Sequence, residues 1–260
     1  MIVLYARITK NGCKQLLHEH LLGVADKMAK VAQRPPIRTV MSSLLNCIPQ
    51  LSWRELQDAL YIAGLFHDIG KALWRYQKHA DKCLSERREL HFPYHEIISC
   101  SIFASACEAL RDKLTIIPEL GYVIAYSILS HHQALRCVTL DYVETAGDWV
   151  CARDQEGLRY LADIMRPSCK AGTAKSLLEF ISACPERALK YDPSQITRWV
   201  NTQNIQKSRR DKWILLARLT AGLLMAVDVF DAHEAVGDAA TRYVRDIKRF
   251  VRWALRRPNL

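Results

Sequence analysis

The sequence predicts an all-α fold with at most a short N-terminal strand. Three observations carry this. Strand-type composition is confined to residues 2–8. Apolar residues recur at helical spacing through most of the remaining chain. At 260 residues, half of them apolar, the chain can bury one large core, and 1–260 reads as a single domain.

Taken in order, the segment IVLYARI (2–8) is β-prone. Leu16, His20, Val24 and Val31 share a face, so 13–33 reads as a helix that Pro35-Pro36 ends. A second helix starts after Ser52, an N-cap with Glu55 three residues on, and runs through Leu56, Leu60 and Ala63 into His67. A third covers 71–89. A fourth covers 95–112, with Ile98, Ile102 and Ala106 aligned, and a fifth covers 119–132. Between 134 and 210, Pro167, Gly172, Pro185 and Pro193 break the pattern into shorter helices and loops. A long apolar helix spans 211–231 and a basic amphipathic one 239–257.

A net charge of +10 favours polyanionic partners: nucleic acid, an anionic membrane or an acidic protein. Nine dispersed cysteines without a C-x-x-C read as reduced, mostly buried residues of a cytosolic protein. The short apolar N-terminus does not match a signal peptide, and no stretch approaches a membrane span. The expected location is the cytoplasm.

Five polar signals interrupt apolar helices. His67-Asp68 closes LYIAGLF, and a buried carboxylate there needs a partner or a metal. Asp228 sits within AGLLMAVDVF, where an arginine or a metal would satisfy it. His131-His132 ends YVIAYSILS, His95 begins HEIISCSIF, and His20 lies on the core face of the first helix. Each alone has an ordinary core reading. Together, imidazoles and carboxylates suit divalent Mn, Fe, Co, Ni or Zn, with Mg favoured by oxygen-rich sites. The absence of thiolates argues against a structural zinc site.

The order H…HD…H…HH…D resembles the HD superfamily of metal-dependent phosphohydrolases, and more narrowly the HD nuclease of type I CRISPR systems. The segments are HLLGVADKMAKVA (20–32), LYIAGLFHDIGKA (60–72), YHEIISCSI (94–102), ILSHHQA (128–134) and MAVDVFDA (225–232). The resemblance implies an HD-domain helical bundle. One ion would be held by His20, His67, Asp68 and Asp228, and a second by Asp68, His95, His131 and His132. His18 competes with His20, which is preferred because Leu21, Val24 and Ala25 follow it. Lys71 would meet a phosphate. No G-x-x-x-x-G-K-[ST] occurs, which points to the stand-alone form, separate from its helicase.

The activity so implied is cleavage of single-stranded DNA, the displaced strand of an R-loop, by water activated between two divalent ions. Asp68 and Lys71 are the catalytic candidates. The implied partners are a separate helicase subunit and the RNA-guided complex, with no membrane. The alternatives are a small-molecule nucleotide phosphohydrolase and a non-catalytic adaptor. Arg242, Arg245, Arg249, Arg252 and Arg256 form one stripe, read as a DNA track, a protein dock or a solvated face. Trp199 and Trp213, flanking the basic 207–210, are read as core residues in preference to base-stacking ones.

Overall fold

The computed structural model describes residues 2–46, 51–114, 116–132, 152–190, 196, 200, 210–237 and 242–256. Its main core cluster draws on helices from both halves of the chain. The expected single strand is a two-stranded antiparallel hairpin, β1 (Tyr5–Ile8) with β2 (Lys14–Leu16), turning at Gly12 with φ +79°. The Gln77 side chain covers β1, exchanging hydrogen bonds with the Tyr5 backbone and donating to the Lys71 carbonyl.

Helix α1 (Leu17–Ala32) begins later than expected because 14–16 pairs as strand. Helix α2 (Pro35–Leu45) is a correction. Helix α1 does end before the two prolines, at Ala32, but Pro35 also opens a helix that the sequence did not predict, standing at N1, where a fixed φ and a missing N–H cost nothing. Helix α3 (Trp53–Phe66) starts as expected: the Ser52 hydroxyl accepts from the Glu55 N–H, and Glu55 accepts from the Ser52 N–H. Such a cap contributes about 1 kcal/mol.

The continuous helix expected over 71–89 is broken into a 3-10 turn (Ile69–Ala72), α4 (Trp74–Gln77) and α5 (Ala80–Glu86). Leu73 is extended, and Arg87 ends α5 at φ +53°. Helices α6 (His95–Ala109) and α7 (Pro118–Ser130) follow, then α8 (Ala152–Met165), α9 (Gly172–Ala183), α10 (Pro185–Ala188), α11 (Arg210–Val236) and α12 (Arg242–Leu255). The fold is helical, as the sequence predicts.

Two glycines set the frame of the molecule. A Cβ on Gly64 would stand 2.8 Å from the Ala25 Cα, so α1 and α3 touch backbone to backbone. A Cβ on Gly70 would stand 2.6 Å from the His95 carbonyl oxygen, and the Gly70 N–H donates to Ser99 Oγ at 2.9 Å. The turn after Asp68 is thereby pressed onto the first turn of α6.

One expectation needs revision. Helix α11 contains an 18-residue window of mean hydropathy 1.8, long and apolar enough by length and composition alone to cross a membrane. Of that window 56% is buried inside the protein, the ordinary state of a core helix. Of the six described cysteines, all free, Cys100, Cys107 and Cys169 are buried while Cys13 is exposed, so burial is less general than expected. Trp213 is in the core. Trp199 and 207–209 lie outside the described residues.

Candidate metal centre

Four elements of the chain bring buried histidines to one carboxylate. Asp68, fully buried, follows α3 and opens the 3-10 turn. His20 comes from the first turn of α1, His67 from the end of α3, His95 from the start of α6, and His131 and His132 from the end of α7. Asp228 comes from α11. The close α1–α3 packing sets the His20 and His67 rings 5.1 Å apart.

Around Asp68, Oδ2 lies 3.4 Å from the Nε2 atoms of His20 and His67, and Oδ1 lies 2.9 Å from His95 Nε2 and 3.4 Å from His131 Nε2. Asp228 Oδ1 is 3.2 Å from His20 Nε2 and 3.7 Å from His67 Nε2. His95 and His132 meet Nε2 to Nε2 at 2.9 Å.

The ring orientations follow from the other nitrogens. His67 Nδ1 donates to the Gly64 carbonyl at 2.8 Å, His131 Nδ1 to Ile128 at 2.7 Å, and His95 Nδ1 to Phe92 at 2.5 Å. His20 Nδ1 donates to Asp231 Oδ2 at 2.7 Å. Carbonyl oxygens only accept, so Nδ1 carries the proton and a neutral ring turns its Nε2 lone pair inward. This outward anchoring is the arrangement that aims histidines at a metal.

The potential ligands form two groups, His20, His67, Asp68 and Asp228, and Asp68, His95, His131 and His132. Within each, one ligand atom per residue lies within 4.8 Å of all the others, and Asp68 is shared. A fit test comes from unsatisfied atoms. His67 Nε2 and His131 Nε2 are buried without a hydrogen-bond partner, and the buried Asp68 oxygens are met only by the Lys71 ammonium and by ring nitrogens. An unsatisfied buried atom costs about 1–3 kcal/mol, and the two ring nitrogens converge on the same carboxylate. Lone pairs of nitrogen and oxygen face one another there, which only a cation or protons can reconcile. Imidazole and carboxylate suit divalent transition metals; the residues fit the group.

Electrostatics agree. Burial disfavours the charged form of His20, but Asp228, Asp231 and Asp68 overbalance it, raising its pKa to about 10. His67 is raised to about 9, against its own burial, by Asp68 and Asp228. Burial opposes ionisation of Asp68 and Asp228, yet the cationic and hydrogen-bonding neighbours hold both well below the usual carboxylate range. Burial lowers His131, leaving it neutral and ready to coordinate. The site thus asks for positive charge at its centre.

Lys71 supplies some of that charge. Its ammonium sits 2.5 Å from Asp68 Oδ2 and 5.0 Å from the Phe92 ring centroid. The first group is closed to solvent, whereas the second opens at the exposed His132.

All seven ligand candidates named from the sequence therefore meet in one place, with Lys71 beside them. His18 is only half-buried. Arg245, Arg249, Arg252 and Arg256 lie instead on the exposed face of α12, and the side chain of Arg242 lies outside the described residues. Sequence reasoning missed Asp231, which accepts from His20, from Gln15 Nε2 at 2.7 Å and from Lys27 Nζ at 2.6 Å. The available signal was its i+3 spacing from Asp228, which puts both acids on one face of α11.

Residues 17–141 match the family model of the HD domain. Neither curated proteins nor solved structures gave a match. An HD domain with a buried His/Asp cluster able to bind metal supports the HD phosphohydrolase superfamily and suggests a metal-dependent hydrolase.

Proposed function

We propose that this HD domain is the catalytic unit of a metal-dependent nuclease that cuts single-stranded DNA, serving type I CRISPR interference beside a separate helicase. The observation that carries the hydrolytic reading is Asp68, a buried carboxylate shared by two four-ligand groups. The choice of a nucleic-acid substrate is supported by the +10 charge and by the H…HD…H…HH…D order. The CRISPR setting is supported by that motif resemblance alone.

His20, His67, Asp68 and Asp228 would hold one divalent ion and Asp68, His95, His131 and His132 another. Such ions supply Lewis acidity and a water acidic enough to attack at neutral pH. The protein's own contributions are positional. Asp68 ties the two groups together, and the imidazoles of His67, His95 and His131, held by backbone carbonyls, lose little freedom when they bind. The exposed His132 marks the side from which a phosphodiester approaches. The Lys71 ammonium, one residue beyond Gly70, places fixed positive charge where phosphate oxygens arrive. This chemistry needs no covalent nucleophile from the protein.

The test incubates the purified chain with Mn, Ni, Co or Mg and with single-stranded DNA, duplex DNA or a nucleotide panel. Metal-dependent cutting of the single strand, abolished in Asp68→Ala, is the expected result. Turnover of mononucleotides with DNA left intact would replace the nuclease reading with a small-molecule phosphohydrolase. Cutting by Asp68→Ala at the wild-type rate would remove the metal centre from the chemistry.

A further inference from the structure

Helix α12 is amphipathic in an unusual way. Its inner face, Ile247, Val251 and Ala254, is buried, and Arg34 Nε donates to the Ala254 carbonyl, pinning the helix beside the end of α1. Its outer face carries Arg245, Arg249, Arg252 and Arg256, all exposed, at the 4-3-4 spacing that makes one straight ridge. With a rise of 1.5 Å per residue, the ridge is about 16 Å long. Arg249 is 84% exposed, and its nearest acid, Asp246, is 4.0 Å away.

Two aromatic rings flank this ridge in the open. Phe250 is 38% exposed and Trp253 48%, with centroids 6.1 Å apart and planes inclined by 34°. Scattered exposed apolar residues are unremarkable, but two neighbouring aromatic rings along an arginine row form a composite surface. Arginines facing arginines would repel a second copy of this chain. The chemistry that satisfies both components is a strand with a phosphate on one side and an unpaired base on the other.

We infer that the outer face of α12 is a binding track for single-stranded nucleic acid. Arg245, Arg249, Arg252 and Arg256 hold its phosphates, and Phe250 and Trp253 stack its bases. This rests on the phosphodiester-cutting reading above. It adds a location: five residues separate the end of α11 from the start of α12, and Asp228 lies about two turns before that end. The far end of the track, at Ala254, meets Arg34 just past the end of α1 opposite to His20. A duplex hides its base faces, so stacking on Phe250 and Trp253 selects single strands.

The experiment uses the full chain in EDTA, which suppresses cutting, with fluorescein-labelled (dT)20 followed by anisotropy over a salt series. Phe250→Ala/Trp253→Ala should weaken binding by about fivefold or more, with the salt slope unchanged. Arg249→Gln/Arg252→Gln should flatten the log–log salt slope by about 1.4, at about 0.7 for each phosphate no longer neutralised. Circular dichroism confirms that α12 persists, and Phe250→Tyr/Trp253→Phe should restore affinity. Wild-type binding by both disrupted variants would overturn the inference. So would variants that keep (dT)20 but lose phosphatidylglycerol vesicles or polyglutamate, since the face would then serve a membrane or an acidic protein. If the wild-type chain with Mn leaves DNA intact while both variants lose (dT)20, the cutting reading fails and the track stands. If wild type cuts and both variants bind normally, the track fails alone.

Discussion

Replacing Asp231 with asparagine tests whether the carboxylate behind His20 orders the metal centre. Asp231 Oδ2 accepts 2.7 Å hydrogen bonds from His20 Nδ1 and Gln15 Nε2, and Oδ1 accepts from Lys27 Nζ at 2.6 Å. Burial raises the Asp231 pKa, but His20 and Lys27 more than offset this and hold it below the ordinary value. Asparagine keeps the volume and loses the charge. Its oxygen can face His20 and Gln15 only if its NH2 faces the Lys27 ammonium; turned the other way, it meets the His20 N–H. Either orientation forfeits one side of the network. Loss of such an outer partner reduces metal affinity about 10- to 100-fold, or about 1.4–2.8 kcal/mol at 1.4 kcal/mol per decade. The assay is competitive titration of Mn against a chromophoric chelator, with Asp163→Asn on the surface as a control. An Asp231→Asn affinity within twofold of wild type, in a protein with a normal melting curve, would refute the positioning role of Asp231.

The remaining predictions concern packing and protons. Gly222→Ala, where an added Cβ on α11 meets nothing within 4 Å, should stabilise the chain by about 0.5–1 kcal/mol in thermal or urea unfolding. Gly70→Ala, whose Cβ would press on the His95 carbonyl, should cost about 1–3 kcal/mol in the same measurement. Its metal affinity should fall as well, because His95 moves. Glu55 is held below its ordinary pKa of 4.5 by the Ser52 hydroxyl and N–H, so its contribution is present above pH 4.5 and lost as pH falls through the folded value. A Ser52→Ala deficit of about 1 kcal/mol at pH 7 should therefore shrink on acidification. His20 and His67, raised to about 10 and about 9, should stabilise the metal-free chain fully below pH 6.5 and lose that contribution as pH rises through 9–10. Mn binding at pH 7 should accordingly release protons, seen as calorimetric heats that vary with buffer ionisation enthalpy.

What could be read from the sequence was whatever depended on local rules. Ser52 and Glu55 announce a helix start because both partners lie within four residues. His67-Asp68, His95, His131-His132 and Asp228 stand out because each is polar inside an apolar run, a conflict visible without coordinates. The missed features depend on distant partners. The 71–89 pattern is helical in composition. Its first turn is instead fixed by Gly70 against α6 and by Gln77 bridging the Lys71 carbonyl to β1. Pro35 reads as a stop because a proline ends one helix and opens the next with the same fixed φ, and only the packing of residues 37–45 decides between them. The i+3 spacing of Asp231 from Asp228 places it on the same face of α11, but nothing in its neighbours tells of Gln15, His20 and Lys27. The arginine ridge was legible, but the exposure of Phe250 and Trp253 beside it was not, since aromatic residues in a helix ordinarily face inward.

The carboxylate on α11 and the imidazole on α1 that meet at this centre belong to opposite ends of the chain: His20 and Asp231 are separated by 211 positions. An ion seated between His20 and Asp228 would therefore act as a clasp, closing a loop of nearly the whole polypeptide. Because the entropy of closing a loop grows only logarithmically with its length, such a clasp restrains a great deal of chain for little more than a short one would require. Metal occupancy and the cohesion of the entire molecule would then rise and fall together. A fragment limited to 17–141 would carry the histidines without the acid that completes them.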